Sequence, residues 1–352
     1  MRTDKLKKIV PLEIRKETVP MTATPPSSRL TPHVSLPSPH VSRFTPHVSR
    51  LMLGTVQFGL PYGVANRTGQ PEYREVLAIL AAAIEGGVNC IDTAAAYGTA
   101  EEVLGRALSE LGVADRVVVV TKVRALTPAE LADGSLAARA IEESVAESRR
   151  RLRLDCLPAV LFHREADGVY LPVLEQLKAK GWLRYAGVSC DNRPGPAADF
   201  VAGGLASALQ LPGNILDRRH QCSGVLRAAA ERGVAVFIRS IYLQGLLLMP
   251  EDEIPQALRA VVPARRALAS VAGEAGMPLA ELAMRYLLGI PGVTSLITGV
   301  ETVAQLRENL TIVGRGALAG ALMDAIEAAA TELPEMILSP RLWPKPTGGP
   351  AK

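Results

Sequence analysis

The 352-residue sequence is short of several things at once. It has four cysteines and five histidines, and no uninterrupted apolar run long enough for a membrane span. The thiols Cys90, Cys156, Cys190 and Cys222 form no C-x-x-C pair. Four scattered thiols in so long a chain are not a disulfide framework, which points to a reducing, cytoplasmic compartment. No G-x-G-x-x-G follows the first apolar strand-like run, because Gly54, Gly59 and Gly63 lack that spacing. A doubly wound dinucleotide fold thereby loses its main sequence support. Otherwise the composition is that of an ordinary globular chain, 48% hydrophobic and 21% charged.

The formal net charge of +4 resides in the first fifty residues. These hold nine Lys/Arg, three Asp/Glu, eight prolines and no glycine, whereas the other 302 residues carry 30 basic against 32 acidic groups. A slightly acidic body offers no electrostatic case for nucleic acid. His33, His40 and His47 fall in a seven-residue repeat of Pro-His-Val-Ser that begins at Pro32, Pro39 and Pro46. Proline at that density blocks helix formation. No apolar core segment of a secretory signal follows the basic start. Residues 1–50 therefore read as a low-complexity, disordered extension in preference to a metal-binding repeat. Residues 51–335 read as one folded domain and 336–352 as a Pro-rich end.

From Leu51 onward, short β-branched runs alternate with amphipathic stretches. The pattern predicts strands at 51–55, 88–91, 117–121, 157–162, 185–188, 205–211, 234–238 and 293–297. Helices are predicted at 71–85, 99–111, 135–153, 169–180, 196–201, 223–232, 255–275, 278–288 and 302–312, with an extra C-terminal one at 318–331. Continuous apolar strands flanked by helices imply an α/β architecture with a covered parallel sheet. Eight such units are the count of a closed (β/α)8 TIM barrel, whose chemistry collects at the carboxyl ends of its strands. Those ends carry Asp92 with Tyr97, then Lys122, His163, Ser189, Gln210, Arg239 and Ser240. Singly, each has a plain structural reading: a chain turn, a loop aromatic, a solvated lysine, a satisfied histidine. Together, an acid, a phenol, a lysine and an imidazole share one end of three neighbouring strands. No Cys or carboxylate stands at metal-ligand spacing from His163 or His220.

Residues 91–98 (Ile-Asp-Thr-Ala-Ala-Ala-Tyr-Gly), with Val120-Thr121-Lys122 and Leu161-Phe162-His163, resemble the signature of the aldo-keto reductases. That family consists of (β/α)8 barrels that reduce carbonyls with a nicotinamide cofactor. The similarity runs from Leu51 to about Leu310 and takes in Gly54-Thr55, Phe58-Gly59, residues 184–189, and Gln210 with Asn214. It implies Tyr97 as the proton donor, Lys122 as the cation that lowers its pKa, Asp92 as the partner of Lys122, and His163 as a hydrogen-bonding partner of the carbonyl oxygen. It also implies NADP(H) or NAD(H) as cofactor. The residues implied to hold it are Gly54, Thr55, Asp92, Ser189, Cys190, Gln210, Arg239, Ser240, Gly299, Gln305, Glu308 and Asn309.

Three departures from the family pattern stand out. Cys190, a weak hydrogen-bonding partner, stands where many members have Asn. Arg239 stands where many stack a tyrosine; its charge opposes an oxidised nicotinamide, so a shifted redox preference is expected. Gly299 and Gln305 stand where NADP users often carry Lys and Arg, and Glu301 opposes an anion, so weakened discrimination for the 2′-phosphate is expected. The implied partner is a small-molecule carbonyl. The polar loop residues Tyr62, Asn66, Arg67, Tyr242 and Gln244, and a similarity to bacterial members found with sugar and polysaccharide biosynthesis, favour a sugar-like one. Two other readings stay open. One is a nicotinamide-binding regulatory subunit similar to the potassium-channel β subunits; the other is a Schiff-base aldolase with Lys122 as nucleophile.

Overall fold

The computed structural model describes residues 43–64, 66 and 69–344. The first two copies of the Pro-His-Val-Ser repeat, Arg67 and the last eight residues lie outside these. Eight parallel strands follow one another in sequence order around a closed barrel. They are β1 Leu51–Gly54, β2 Cys90–Asp92, β3 Val118–Val123, β4 Leu157–Phe162, β5 Leu183–Ser189, β6 Ala208–Pro212, β7 Ala235–Arg239 and β8 Ser295–Gly299, with β8 pairing back onto β1. Each strand feeds a helix on the outside: α1 Tyr73–Glu85, α2 Ala100–Leu111, α3 Gly134–Leu152, α4 Leu171–Ala179, α5 Pro194–Gly203 and α6 Val225–Glu231. Two helices, α7 Val262–Glu274 and α8 Leu279–Leu288, follow β7; α9 Val303–Gly314 follows β8, and α10 Gly320–Ala329 is the extra C-terminal helix. The expected (β/α)8 barrel is therefore the fold of this protein.

Strand boundaries shift where a helix cap takes residues from the expected strand. Gly87 adopts φ 85°, and the Val88 amide donates to the Ala83 carbonyl. Val88 thus closes α1, and β2 starts at Cys90. Gly292 adopts φ 90°, and a Cβ there would lie 2.3 Å from the Leu226 carbonyl oxygen. That close turn delays β8 to Ser295.

The strands are apolar on both faces, as a covered parallel sheet requires. Residues facing outward, among them Leu53, Ile91, Val119, Val160, Leu209 and Leu296, pack under the helices. Residues facing inward, Met52, Cys90, Val120, Leu161, Ala208, Phe237 and Ile297, fill the barrel as a separate core. All four cysteines are free. Among the described residues no helix is long and apolar enough to cross a membrane.

The floor of that inner core corrects the expected boundary at residue 50. The Phe44 ring meets Tyr185 at 4.7 Å and Phe237 edge-on at 5.7 Å between centroids. Its amide donates to the Gly233 carbonyl, and Val48 is buried beside it. Asn89 donates to the His47 carbonyl, and Arg50 donates to the Leu288 carbonyl at 2.8 Å. The third repeat copy is thus built into the barrel's amino-terminal end: its proline, Pro46, opposes a helix but suits an extended plug. Phe44→Ala is expected to lower unfolding stability by about 1–2 kcal/mol, the burial energy of a half-covered ring. Urea denaturation reads this, and an unchanged midpoint would place the ring outside the core.

Candidate active site

The period of two along each strand builds the site. Continuing every inward-facing row by one more inward position gives Gly54, Asp92, Lys122, His163, Ser189, Gln210, Arg239 and Gly299. The polar layer at the carboxyl rim is therefore the same face that lower down holds the apolar core.

At its centre is a buried ion pair. Lys122, with zero exposure, donates from Nζ to Asp92 Oδ1 at 2.6 Å and to the Thr93 carbonyl at 2.8 Å, and stands 3.4 Å from the Tyr97 hydroxyl. Gln210 reaches across from β6 and donates to the same Asp92 oxygen at 2.7 Å. Pairing of Cys90, Ile91 and Asp92 with Val118, Val119 and Val120 sets the two strands in register. The amides of Thr93 and Ala95 continue that ladder onto the Val120 and Lys122 carbonyls, which lays the loop over the lysine. The loop then turns at Tyr97, whose amide donates to the Ala94 carbonyl, and at Gly98 with φ 57°. A Cβ on Gly59 would lie 1.9 Å from the Tyr97 carbonyl oxygen, and one on Gly98 would lie 2.4 Å from that of Gly59. Only bare backbone lets the two loops close on each other there. The His163 ring faces Tyr97 edge-on, with centroids 5.5 Å apart.

Burial first, and then the Asp92 carboxylate, push the Tyr97 phenol above its ordinary range; Arg239 acts in the opposite direction. Burial lowers Lys122 itself, and Asp92 holds it up. His163 is pushed down to about 3 by burial and by the Lys122 and Arg239 charges, so its imidazole is neutral at ordinary pH.

Tyr97 and His163 open onto a cavity of about 700 Å³. Of the residues assigned from sequence, Gly54, Asp92, Tyr97, His163, Ser189, Gln210, Arg239, Ser240, Gly299, Gln305, Glu308 and Asn309 line it. Thr55, Lys122 and Cys190 do not. Thr55 and Cys190 each lie one residue beyond an inward position, so they point outward: Thr55 donates to the Asp92 carbonyl, and the Cys190 thiol sits in the outer apolar layer. Burial pushes that thiol above its ordinary value. Only the Cys190 carbonyl serves the site, accepting from Arg239 Nη2 at 2.9 Å. Lys122 lies beneath Asp92 and Tyr97, with no open approach to its amine, which removes the aldolase reading. Arg239 also reaches Ser240 Oγ at 3.4 Å.

Sequence reasoning missed Gln57 and Asp191, which also line the cavity. Gln57 projects from a short helical turn after β1 across Gly299, where a Cβ would come within 2.3 Å of its Oε1. That oxygen is buried without a hydrogen-bond partner. Asp191 follows β5 and is held by Arg341 at 3.0 Å, from the C-terminal segment. Tyr62 and Gln244 meet across the mouth at 2.9 Å. The loop carrying Gln244 holds Ser240, Leu243 and Gln244 at φ 63°, 48° and 54°, a left-handed conformation that side chains resist.

A barrel whose polar rim opens on one long cavity is the architecture of a (β/α)8 enzyme. Residues 50–330 match the profile of the Aldo/keto reductase family, and the chain belongs to that family of NAD(P)-linked oxidoreductases. It is 29% identical over 262 residues to the uncharacterized oxidoreductase YqkF of Bacillus subtilis, covering 68% of this chain and 82% of that one. It is 28% identical over 299 residues to an Arabidopsis thaliana protein named "Probable voltage-gated potassium channel subunit beta", covering 75% and 88%. The structure of an aldo-keto reductase from Bacillus halodurans in its holo form shares the fold, with TM-score 0.68 and 23% identity over 85% of this chain and 98% of that one.

The lowered His163 ties stability to pH. Its folded value lies below the ordinary imidazole value of about 6.5. As pH falls through that window, the unfolded chain takes up a proton that the folded chain refuses, so stability falls with pH. His163→Gln is expected to flatten the loss between about pH 6.5 and 5. Urea unfolding across that range measures it, and parallel curves for the two chains would contradict the assignment.

Proposed function

We propose that the protein reduces an aldehyde or ketone to an alcohol with a reduced nicotinamide dinucleotide, and that Tyr97, Lys122, Asp92 and His163 carry the proton half of the reaction. The observation that carries this reading is the hydrogen-bonded line from Asp92 through Lys122 to the Tyr97 hydroxyl, facing His163 at the mouth of a long cavity.

The residues present fit a dinucleotide. The cavity of about 700 Å³ is within the range of small-molecule sites and is lined by polar groups along the carboxyl rim of the barrel. Ser189, Gln210 and Arg239 would hold the nicotinamide end, and Thr298, Gln305, Glu308 and Asn309 the adenosine end. When bound, the reduced dinucleotide supplies the hydride that goes to the carbonyl carbon.

The chain's own residues then manage the oxygen. Neutral His163 donates a hydrogen bond to the carbonyl oxygen and fixes its direction, the role of one donor in an oxyanion site. Negative charge grows on that oxygen as hydride arrives at carbon. The Tyr97 hydroxyl passes its proton to it, since an alkoxide is a stronger base than even a raised phenolate. The phenolate left behind faces the Lys122 ammonium, which Asp92 keeps charged and aimed. Water afterwards restores the phenol's proton. The polar groups of Tyr62, Asn66, Tyr242 and Gln244 around the mouth suit a hydroxylated, sugar-like substrate.

A second reading draws on the likeness to proteins named as potassium-channel β subunits: dinucleotide binding without significant turnover. One assay separates the two. With aldoses and simple aldehydes, oxidation of NADH or NADPH is followed by absorbance. Turnover that Tyr97→Phe reduces by about 10²–10⁴-fold, with dinucleotide affinity kept, supports reduction. Binding with no turnover on any carbonyl overturns it. Arg239→Tyr is expected to strengthen binding of the oxidised relative to the reduced dinucleotide, by removing a cation beside a cationic ring. An unmoved affinity ratio in fluorescence titration would place the guanidinium away from the ring.

A further inference from the structure

One guanidinium in the cavity wall has no carboxylate partner. Arg239, half-buried at the end of β7, is the one Lys or Arg in the described lining. A guanidinium carries several N–H donors in a planar fork. Here Nη2 donates to the Cys190 carbonyl at 2.9 Å, and Nη1 reaches the Ser240 hydroxyl at 3.4 Å. Both partners are uncharged, and the remaining donors have none among the described residues. The other charges of the lining at this end are matched. Asp92 pairs with Lys122 at 2.6 Å and Asp191 with Arg341 at 3.0 Å, and His163 is neutral. The remaining acids of the lining, Glu301 and Glu308, belong to the α9 end.

The wall beside Tyr97 therefore carries an unmatched positive charge, and a half-buried cation without a counter-ion is costly. Its two neutral hydrogen bonds anchor it between the ends of β5 and β7. A fork fixed in that way loses little freedom when an anion arrives. Its charge acts on Tyr62, Tyr97 and His163, the groups around the space in which the reacting carbonyl is placed above. Hydride transfer brings the carbonyl carbon into contact with the nicotinamide. A guanidinium beside that ring is thus beside the substrate as well.

We propose that Arg239 is a specificity-determining residue that receives a carboxylate carried by the substrate, so that the compound reduced is an aldehyde or keto acid. This rests on the reductase reading above. A carboxylate meets the fork with two oxygens against two N–H groups, and its single charge answers a single cation. A phosphate dianion would leave charge over, with no second cation in the described lining to take it.

The test uses pairs of aldehydes that differ in charge and little else. One pair is para-carboxybenzaldehyde and para-formylbenzamide; the other is succinic semialdehyde and its amide. The acid of each pair is expected to show a kcat/KM about tenfold higher or more, the scale of one charge-assisted contact. Added salt is expected to narrow that ratio. Arg239→Gln keeps a donor for the Cys190 carbonyl and removes the charge, and it is expected to bring the ratio near one. Arg239→Lys keeps the charge without the fork and is expected to retain part of the ratio. The alcohol products of the first pair are also titrated onto each chain by calorimetry, with and without reduced dinucleotide, a mixture that cannot react. The acid is expected to bind tighter than the amide in the parent and not in Arg239→Gln. A ratio near one in the parent overturns the inference and leaves the reductase reading intact. So does a ratio that Arg239→Gln leaves unmoved; if that variant then also binds dinucleotide less tightly, the guanidinium serves the dinucleotide's diphosphate. If no carbonyl turns over, the reductase reading falls, and the alcohol titration alone decides for or against the carboxylate site.

Discussion

A lysine with no exposed surface, in the middle of a barrel, constrains everything around it. Desolvation alone opposes its charge strongly, and a buried pair stripped of one partner typically loses about 3–5 kcal/mol. Lys122 is therefore tolerable only while Asp92 sits at contact distance and the Thr93 carbonyl takes a second hydrogen. Those two partners come from one strand end and the first residue of its loop. The β2–β3 register, the loop that follows and the position of Tyr97 at its turn thus answer to a single charge. Gln210 adds a fastening from the opposite wall, so the pair also ties β6 to β2 across the barrel. Hydrophobic residues of equal volume would hold such a core at least as well. The cost of the ion pair makes sense through the phenol above it.

The barrel itself follows from local pattern: apolar runs, helix periods and glycine stops each report on a few consecutive residues. The polar layer followed too, because inward positions repeat every second residue and Asp92, Lys122 and His163 stand one step above Cys90, Val120 and Leu161. By the same parity Thr55 and Cys190 point away from the cavity, although the family pattern places them beside the cofactor. Other features depend on contacts between distant segments and carry no local signature. Phe44 looks like part of a proline-rich extension until Tyr185 and Phe237 come to meet it. Glu75 reads as one more acid in the first turn of a helix until the Val303 amide, far along the chain, lands on it. Gln57 acquires meaning only because β8 brings a glycine beneath it.

A guanidinium, Arg239, lines the cavity at the end where Tyr97 and His163 meet, together with the carboxylates Asp92 and Asp191. It acts differently on the two groups there. With burial and Lys122 it suppresses protonation of His163, because another positive charge there is repelled. It also opposes the raising of the phenol, because Arg239 favours a phenolate. One cation therefore acts on both groups behind the larger effect of burial, adding to it at the imidazole and opposing it at the phenol.

Burial raises the phenol, and Asp92, on the other side of the ammonium, contributes repulsion of its own. The Lys122 ammonium at 3.4 Å favours a phenolate, and its own charge survives burial only through Asp92 at 2.6 Å. The carboxylate thus acts on the hydroxyl twice: directly, against ionisation, and through the ammonium it sustains, in favour of it. On the proposed reading, the oxygen that takes the proton is one turning into an alkoxide, a stronger base than even a raised phenolate, so the donor needs no low pKa in advance.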